Sequence, residues 1–304
     1  MIPSERVRAA RTWAPRFGLP LVVFLVGAMV SGLLYSAMLR AEQRATRAKF
    51  EAIAEDRFQA IEREIEAGLQ ALRSVGAFYA ASQDVEREEF REFVTLLLAQ
   101  ARQVRAFEWV PLVAGKDRQA CQEAARAAGW PQFRFTERGS SGALVEAQAR
   151  QAHFPVFYVE PYAGNEAALG FDFASEPARL RALYAARDSG QIAGTEPLSL
   201  VGEVEGRSSI VVVLPVYRNR TGTDTIDERS ANLTGFVAAA LRAEDLVEKA
   251  LARLTPQWVD LYMRDATDET NVRALYARAS RLRIDRRVEP VENRRLDTAY
   301  TRAT

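Results

Sequence analysis

The chain has 304 residues, with 41 Lys and Arg against 40 Asp and Glu, one Cys and one His. A charged fraction of 27% and a hydrophobic fraction of 48% exclude a disordered chain and a membrane protein with many spans. The balanced charge gives no reason to expect a nucleic-acid partner. A single Cys and a single His exclude an internal disulfide, a thiolate metal cluster and a His-rich metal site, and we expect no metal and no cofactor.

An apolar stretch without charged side chains lies between Arg16 and Arg40. As a helix rising about 1.5 Å per residue, residues 17–39 reach about 35 Å, which is enough to cross a bilayer core. The stretch therefore predicts a transmembrane helix. The alternative is a cleaved signal peptide, but its apolar region would be shorter and would end at an A-x-A-like site, which Tyr35-Ser36-Ala37 matches poorly.

The charges around the predicted span leave its orientation open. Lys and Arg flank both ends in nearly equal numbers, so the positive-inside rule is close to a tie. We favour a cytoplasmic tail over 1–16 with the larger part of the chain outside. The predicted location is the inner (plasma) membrane, with an extracytoplasmic outer domain.

Apolar residues recur in steps of three, four and five from Phe50 to Phe78. This spacing predicts one apolar face of a long helix over 40–80, which would leave the membrane as a stalk. Two interpretations of that face stay open. It pairs with a second copy of itself, giving a homodimer, or it packs only on its own domain.

The rest of the chain alternates between short helices and strands. Ser82 and the acidic residues after it predict the start of a second helix. Pro177 and Gly190 bound another helix over 177–189, with Ser175 as its expected N-cap. Further helices are expected over 116–128 and 243–254, strands over 105–113, 154–159, 207–217, 233–241 and 257–263, a hairpin turn at 139–142, a loop over 218–232, and weak alternation at 273–276 and 281–284. The order favours an α+β fold with antiparallel sheets.

Catalytic and phosphate-binding motifs are absent from the sequence. There is no G-x-S-x-G, G-x-x-x-x-G-K-[ST] or G-x-G-x-x-G, so neither a nucleophile elbow nor a phosphate loop is predicted. His153 is interpreted as a surface or hydrogen-bonding residue rather than a metal ligand. Cys121 lies in an Ala-rich helix and is interpreted as a small packing residue.

The segment 153–201 mixes aromatic side chains with a few polar ones, among them Glu160, Asp172 and Thr195. A ligand pocket with apolar walls and a few orienting polar groups has this composition. The simpler interpretation is a core, because aromatic residues on strands are usually buried. Asp172 close to Ser175 is also typical of a residue that caps a turn.

At these residues the sequence resembles the CHASE domain, an extracytoplasmic sensory module of histidine kinases, nucleotide cyclases and plant cytokinin receptors. The resemblance covers about 75–261. It is carried by AFEWVPLV (106–113), RAAGWPQFRFTE (126–137), HFPVFYVEPYAGNEAALGFDFASEPAR (153–179), ALYAARDSGQIAGTEPLSLV (182–201) and VVVLPVYR (211–218), in the family's usual order. The apolar stretch and stalk also fit the family plan.

The resemblance implies a transmembrane helix, a long stalk helix and two PAS-like antiparallel-sheet lobes. The implied domains are 1–16 (tail), 17–39 (span), 40–80 (stalk), 81–216 (membrane-distal lobe) and 217–304 (membrane-proximal lobe, incomplete). A small ligand is expected in the distal lobe. The ligand-binding residues implied by the resemblance are Phe154, Phe157, Tyr158, Glu160, Asp172, Leu183 and Thr195.

The family plan continues with a second span and a cytoplasmic output domain, and we expect the chain to be the N-terminal part of such a receptor. The output would be a histidine kinase of a two-component system or a diguanylate cyclase. Two other functions stay open. One is an ectodomain that dimerises or binds a partner without a small ligand. The other is a membrane-anchored hydrolase that uses Glu160 and Asp172 as paired carboxylates.

Overall fold

Residues 14–203, 208–255, 259–266 and 272–278 are described by the structure, which is a computed structural model of the chain. They form a mixed helix and sheet fold with antiparallel sheets. The helices and strands in chain order are α1 (Ala14–Ala81), α2 (Arg87–Gln100), β1 (Val104–Pro111), β2 (Val113–Ala114), α3 (Arg118–Ala127), β3 (Thr136–Arg138), β4 (Leu144–Glu146), β5 (Ala152–His153), β6 (Tyr158–Glu160), α4 (Pro177–Ser189), β7 (Ala193–Gly194), β8 (Ser209–Tyr217), α5 (Ile226–Asn232), β9 (Leu233–Arg242), α6 (Ala243–Leu251), β10 (Leu261–Asp265) and β11 (Arg273–Arg278).

Helix α1 contains both the predicted transmembrane segment and the predicted stalk. It runs for 68 residues, with Pro20 as the proline in its interior. Its large apolar side chains between Leu19 and Leu39 are exposed, and by length and composition the helix is apolar enough to cross a membrane. The chain divides into two compact units, 1–58 and 59–304. The first unit contains this apolar part of the helix.

The second unit is built on a five-stranded antiparallel sheet with the strand order β6-β1-β9-β8-β7. Strand β9 lies between β1 and β8, and it pairs with both over most of its length. Nearly every residue of β9 is buried. A strand with small side chains, such as the alanines at 238–240, suits this central position because both faces of the sheet are covered.

The two faces of the sheet carry separate hydrophobic cores. On one face, called the α1 face, Leu72, Val75 and Tyr79 of α1 pack with α2 against the strands. At the end of the predicted stalk, the apolar face of α1 therefore packs on its own domain. On the other face, called the α4 face, Leu183 and Ala186 of α4 pack against the strands together with aromatic residues from the loops.

Several predicted helix boundaries are confirmed and others are wrong. Helix α4 has the predicted limits, and Gly190 ends it at φ 70°, the left-handed conformation that glycine adopts without strain. Its N-cap is Glu176 rather than Ser175. Helix α2 begins after Glu86 rather than Ser82, because the Glu86 side chain and Glu89 form a reciprocal capping box.

The predicted loop over 218–232 is wrong in its second half, where α5 forms. Thr225 caps this helix by accepting a hydrogen bond from the Glu228 N–H, and the Glu228 side chain reaches back to the Thr225 backbone. The predicted strand over 154–159 is also too long at its start. Regular strand pairing begins only at Tyr158. Phe154 belongs to an irregular segment, and its backbone N–H donates a hydrogen bond to Asp172.

The chain beyond β9 continues as α6 and a separate hairpin. Strands β10 and β11 pair antiparallel, with Leu261 opposite Arg278 at one end and Asp265 opposite Arg273 at the other. This pairing confirms the alternation predicted at 273–276. The hairpin predicted around 139–142 is also present, with β3 and β4 as its arms. The alternation predicted at 281–284 lies outside the described residues.

Candidate functional site

A small buried cavity lies on the α4 face between the sheet, α4 and two loops. Side chains alternate along β1, so Ala106, Glu108 and Val110 share one face of the strand. Ala106 and Val110 belong to the core of the α4 face, which places Glu108 there as well. The cavity is lined by Glu108 and Ala106 of β1, Ala240 of β9, Arg179 of α4, Val156, Phe171 and Phe173, and the loop residues Asn165, Ala168, Leu200 and Val201.

Glu108 is an isolated carboxylic acid in the wall of this cavity. Glu108 is only 6% exposed, and its buried Oε2 atom has no hydrogen-bond partner among the described residues. Burial raises the pKa of Glu108 to about 7, although the positive charge of Arg179 acts in the opposite direction. Buried polar atoms normally find a partner, because leaving one unpaired costs about 1–3 kcal/mol.

Arg179 holds a positive charge in the opposite wall of the cavity. It lies in the first turn of α4 and is 2% exposed. Its Nε donates to Glu176 Oε2 at 2.8 Å, and its guanidinium lies over the rings of Phe171 and Phe173 at 5.3 and 4.5 Å from their centroids. These contacts fix the guanidinium in place with its charge balanced by Glu176.

A second buried polar cluster lies near the cavity and is fully paired. Asp172 accepts hydrogen bonds from the backbone N–H groups of Phe154 at 2.8 Å and Ala174 at 3.0 Å. Its Oδ2 atom lies 2.7 Å from Nδ1 of His153 and 3.4 Å from a guanidinium nitrogen of Arg150. Asp172 therefore caps the 3-10 turn that follows it, which is the alternative role the sequence predicted.

The structure brings together only part of the predicted ligand-binding set. Phe154 and Leu183 are buried in one core on the α4 face, the core that surrounds the cavity. Asp172 lies beside them, but its oxygens are occupied by the partners described above. Thr195 follows β7 at the sheet edge, where its hydroxyl accepts a hydrogen bond from the Val211 N–H at 3.1 Å.

The other predicted residues lie elsewhere. Tyr158 pairs with Trp109 across the strands, and its ring belongs to the core of the α1 face. Glu160, two residues further along β6, accepts a hydrogen bond from the Tyr162 N–H at 3.2 Å. Phe157 packs in a small separate cluster with Phe133. The two acids of the predicted carboxylate pair thus have separate hydrogen-bond partners, Tyr162 for Glu160 and His153, Phe154 and Ala174 for Asp172.

Glu108 and Arg179 were not predicted as site residues. A signal for Glu108 was present, since it is the one acidic residue inside the apolar stretch AFEWVPLV. Its burial depends on α4 covering that side of the sheet, which no local pattern reports. Arg179 follows the helix start at Pro177 and has the sequence appearance of an ordinary solvated helix residue.

The described residues contain no group of three or more His, Cys, Asp or Glu side chains arranged to hold a metal ion. Cys121 is half-buried on α3, and burial raises the pKa of its thiol to about 11. The thiol is therefore protonated at neutral pH and is a weak nucleophile.

The family comparison agrees with this fold. The CHASE domain family model matches residues 83–276, and the chain belongs to the CHASE domain family, whose members are extracytoplasmic sensor domains. Among curated proteins, the chain is 24% identical over 278 residues to "Hybrid signal transduction histidine kinase A" of Dictyostelium discoideum. That similarity covers 89% of this chain but only 13% of the relative's length.

Proposed function

We propose that this chain is the sensory part of a membrane-anchored receptor for a small molecule. Residues 17–39 of α1 anchor it in the inner (plasma) membrane, and the domain beyond them lies on the extracytoplasmic side. The output is a histidine kinase or a diguanylate cyclase. Membership of the CHASE family and the similarity to a hybrid histidine kinase support the signalling role.

The observation that carries the ligand-binding part of the proposal is the unpaired carboxyl group of Glu108. A ligand with an N–H donor satisfies the buried Oε2 atom, and the guanidinium of Arg179, whose Nε is bound to Glu176, offers its other N–H groups to an acceptor on the same molecule. The aromatic side chains around them supply apolar contact area. The ligand class is therefore a small, mainly apolar molecule with at least one N–H donor.

The cavity is small in this conformation, and this bears on how a ligand would signal. Its volume of about 10 Å³ is room for about one water molecule. One side of it consists of loop residues, Asn165 and Ala168 before α4 and Leu200 and Val201 after it. A ligand that binds here prefers a conformation in which these loops have moved, and it shifts the receptor toward that conformation by its differential affinity.

We further propose that the sensor has PAS-like distal and proximal lobes, with the ligand in the distal one. The proposed boundary differs from the expectation of 81–216. Strand β9 lies between β1 and β8 in one sheet, so a distal lobe built on that sheet extends to Arg242. Residues beyond Arg242, including α6 and the β10–β11 hairpin, then belong to the proximal lobe, and α1 is the proposed homodimer contact.

The proposal is tested by a thermal-shift screen of the complete chain in detergent micelles against a metabolite library. Compounds that raise Tm are then titrated against Glu108→Gln and Tyr158→Ala. We expect Glu108→Gln to remove the shift and Tyr158→Ala, on the other face of the sheet, to keep it. If only Tyr158→Ala loses the Tm shift, the ligand binds on the α1 face and the assignment to the Glu108 cavity is wrong.

The second candidate function is an ectodomain that dimerises or binds a protein partner without a small ligand. The small volume of the cavity at Glu108, about 10 Å³, favours it. A library in which no compound changes Tm, together with a stable dimer of the complete chain by light scattering, would support this function over the first.

A further inference from the structure

A groove on the α1 face, lined by other residues than the Glu108 cavity, is much larger than that cavity. It lies where the end of α1, the turn into α2 and the ends of β8 and β9 meet. Its volume is about 410 Å³, within the range of small-molecule sites. We call it the Tyr79 groove and define it by Tyr79, Asp84, Val85, Trp109, Val216 and Arg218.

One wall of the Tyr79 groove is aromatic. The rings of Tyr79, in the last turn of α1, and Trp109, on β1, are stacked with their centroids 4.1 Å apart and an interplanar angle of 20°. Val216, which is 7% exposed, continues the apolar surface. The Asn219 side chain donates to the Ser82 carbonyl at 2.7 Å and ties the two loops at the rim together.

The Tyr79 hydroxyl is a buried polar group without a partner. Tyr79 is 9% exposed, and its Oη atom forms no hydrogen bond within the described part of the chain. Burial, with a smaller effect of Tyr158, raises the pKa of Tyr79 far above its ordinary value. The phenol therefore stays protonated, and because its Oη atom has almost no accessible surface, Tyr79 offers the groove its ring rather than its hydroxyl.

Two opposite charges face the groove without being paired. The side chains of Asp84 and Arg218 are exposed, and neither takes part in a hydrogen bond or ion pair with any residue that the structure describes. The backbone of Arg218 is nevertheless fixed, because its N–H donates to the Asn232 carbonyl at 2.8 Å and its carbonyl accepts from the Thr221 hydroxyl at 2.6 Å. The groove thus presents one free cation and one free anion on an ordered frame.

We propose that the Tyr79 groove binds a small amino-carboxylate zwitterion with an apolar side chain, which is the chemistry of a free α-amino acid or of a short peptide. The planar guanidinium of Arg218 binds the carboxylate in the two-pronged geometry that arginine favours. Asp84 binds the ammonium group. The apolar body lies against the rings of Tyr79 and Trp109.

This site differs in place and chemistry from the cavity at Glu108. The two lie on opposite faces of one sheet, since Trp109 and Glu108 are adjacent residues of β1 and point to opposite sides. The Tyr79 groove also includes the last turn of α1 directly. A zwitterion bound there contacts the helix that the proposed receptor uses for signalling, independently of a ligand on the α4 face.

The test is isothermal titration calorimetry of the complete chain in detergent micelles with L-phenylalanine, L-leucine and leucyl-phenylalanine. Phenylacetate lacks the ammonium group and phenethylamine lacks the carboxylate, so both are expected to bind at least tenfold more weakly than L-phenylalanine. Comparing the affinities of the free amino acids with that of the dipeptide shows which of the two sources of the zwitterion the groove prefers. No binding of any of the three zwitterions at millimolar concentration overturns the proposal.

Variants locate the binding. Arg218→Gln and Asp84→Asn are each expected to weaken zwitterion binding tenfold or more, because each removes one charge contact. The matched control is Arg220→Gln, which removes the same charge from an exposed residue outside the groove. Affinity that is unchanged in Arg218→Gln, or equally reduced in the control, refutes the assignment. Glu108→Gln is expected to leave zwitterion binding intact, so this site and the proposed ligand cavity fail or succeed separately.

Discussion

The buried acid Glu108 makes the stability of the domain depend on pH in a direction opposite to that of most carboxylates. Its pKa is raised from the ordinary value of 4.5 to about 7 because burial disfavours the charged form. In the unfolded chain the same group ionises from about pH 4.5 upward. Its contribution to stability is therefore fully present below about pH 4.5, declines as the pH rises toward 7, and is lost above the folded-state pKa.

The size of the effect follows from the pKa difference. At about 1.4 kcal/mol per pH unit, the difference between 4.5 and about 7 corresponds to about 3 kcal/mol of unfolding free energy. Glu108→Gln keeps the shape of the side chain but cannot ionise. We expect the variant to be similar in stability to the parent near pH 4.5 and more stable by up to about 3 kcal/mol at pH 8.

Urea unfolding of the complete chain in detergent micelles, followed by tryptophan fluorescence at several pH values between 4.5 and 8.5, measures this difference. The matched control is Glu92→Gln, an exposed carboxylate on α2, which should keep the pH dependence of the parent. If Glu108→Gln shows the same dependence as the parent over this range, the buried acid is not titrating as described and the reasoning is refuted.

Three further substitutions test the packing around the sites, each by the same urea titration. Gly170→Ala should destabilise by about 1–3 kcal/mol, because Gly170 has φ 82° and an added Cβ would lie 2.2 Å from the Arg134 carbonyl oxygen; parent-like stability would contradict this geometry. Asp172→Asn should cost about 1.5–3 kcal/mol, since it replaces the Oδ2 atom that faces His153 and Arg150 and removes the charge, although Oδ1 can still accept from the two backbone N–H groups; a neutral result would mean that the contacts of Oδ2 are dispensable. Phe90→Ala should cost about 3–5 kcal/mol by emptying a fully buried position under α2, whereas the exposed Leu96→Ala is the control and should cost little.

The elements that the sequence predicted well have local signals. Pro177 and Gly190 bound α4 because one fits the first helical turn and the other adopts a left-handed conformation. Continuous apolar residues predicted β8 and β9, and the hairpin at 139–142 followed from its glycines. The CHASE family could likewise be identified from short segments in their usual order, before any contact between them was known.

The sequence prediction of helices was wrong where two local signals compete for the same helix start, or where the residues that decide the helix start are recognisable only as a pair. Ser82 is the better N-cap by residue type, but the reciprocal contact between Glu86 and Glu89 places the helix start at Glu86. The polar residues before Asn232 look like a loop, yet Thr225 and Glu228 form a capping box there. Such pairs are visible in a sequence only if the helix they start is already suspected.

The sequence by itself determined the family, the α+β class, many of the helices and strands, and an N-terminal helix apolar enough to cross a membrane, because these depend on composition and short-range periodicity. Only the tertiary structure decided which side chains meet. It inserted β9 between β1 and β8, separated Tyr158 from Phe154 onto opposite faces, and buried Glu108 opposite Arg179. Those outcomes depend on strand pairing and helix packing between residues far apart in the chain, and no local pattern contains that information.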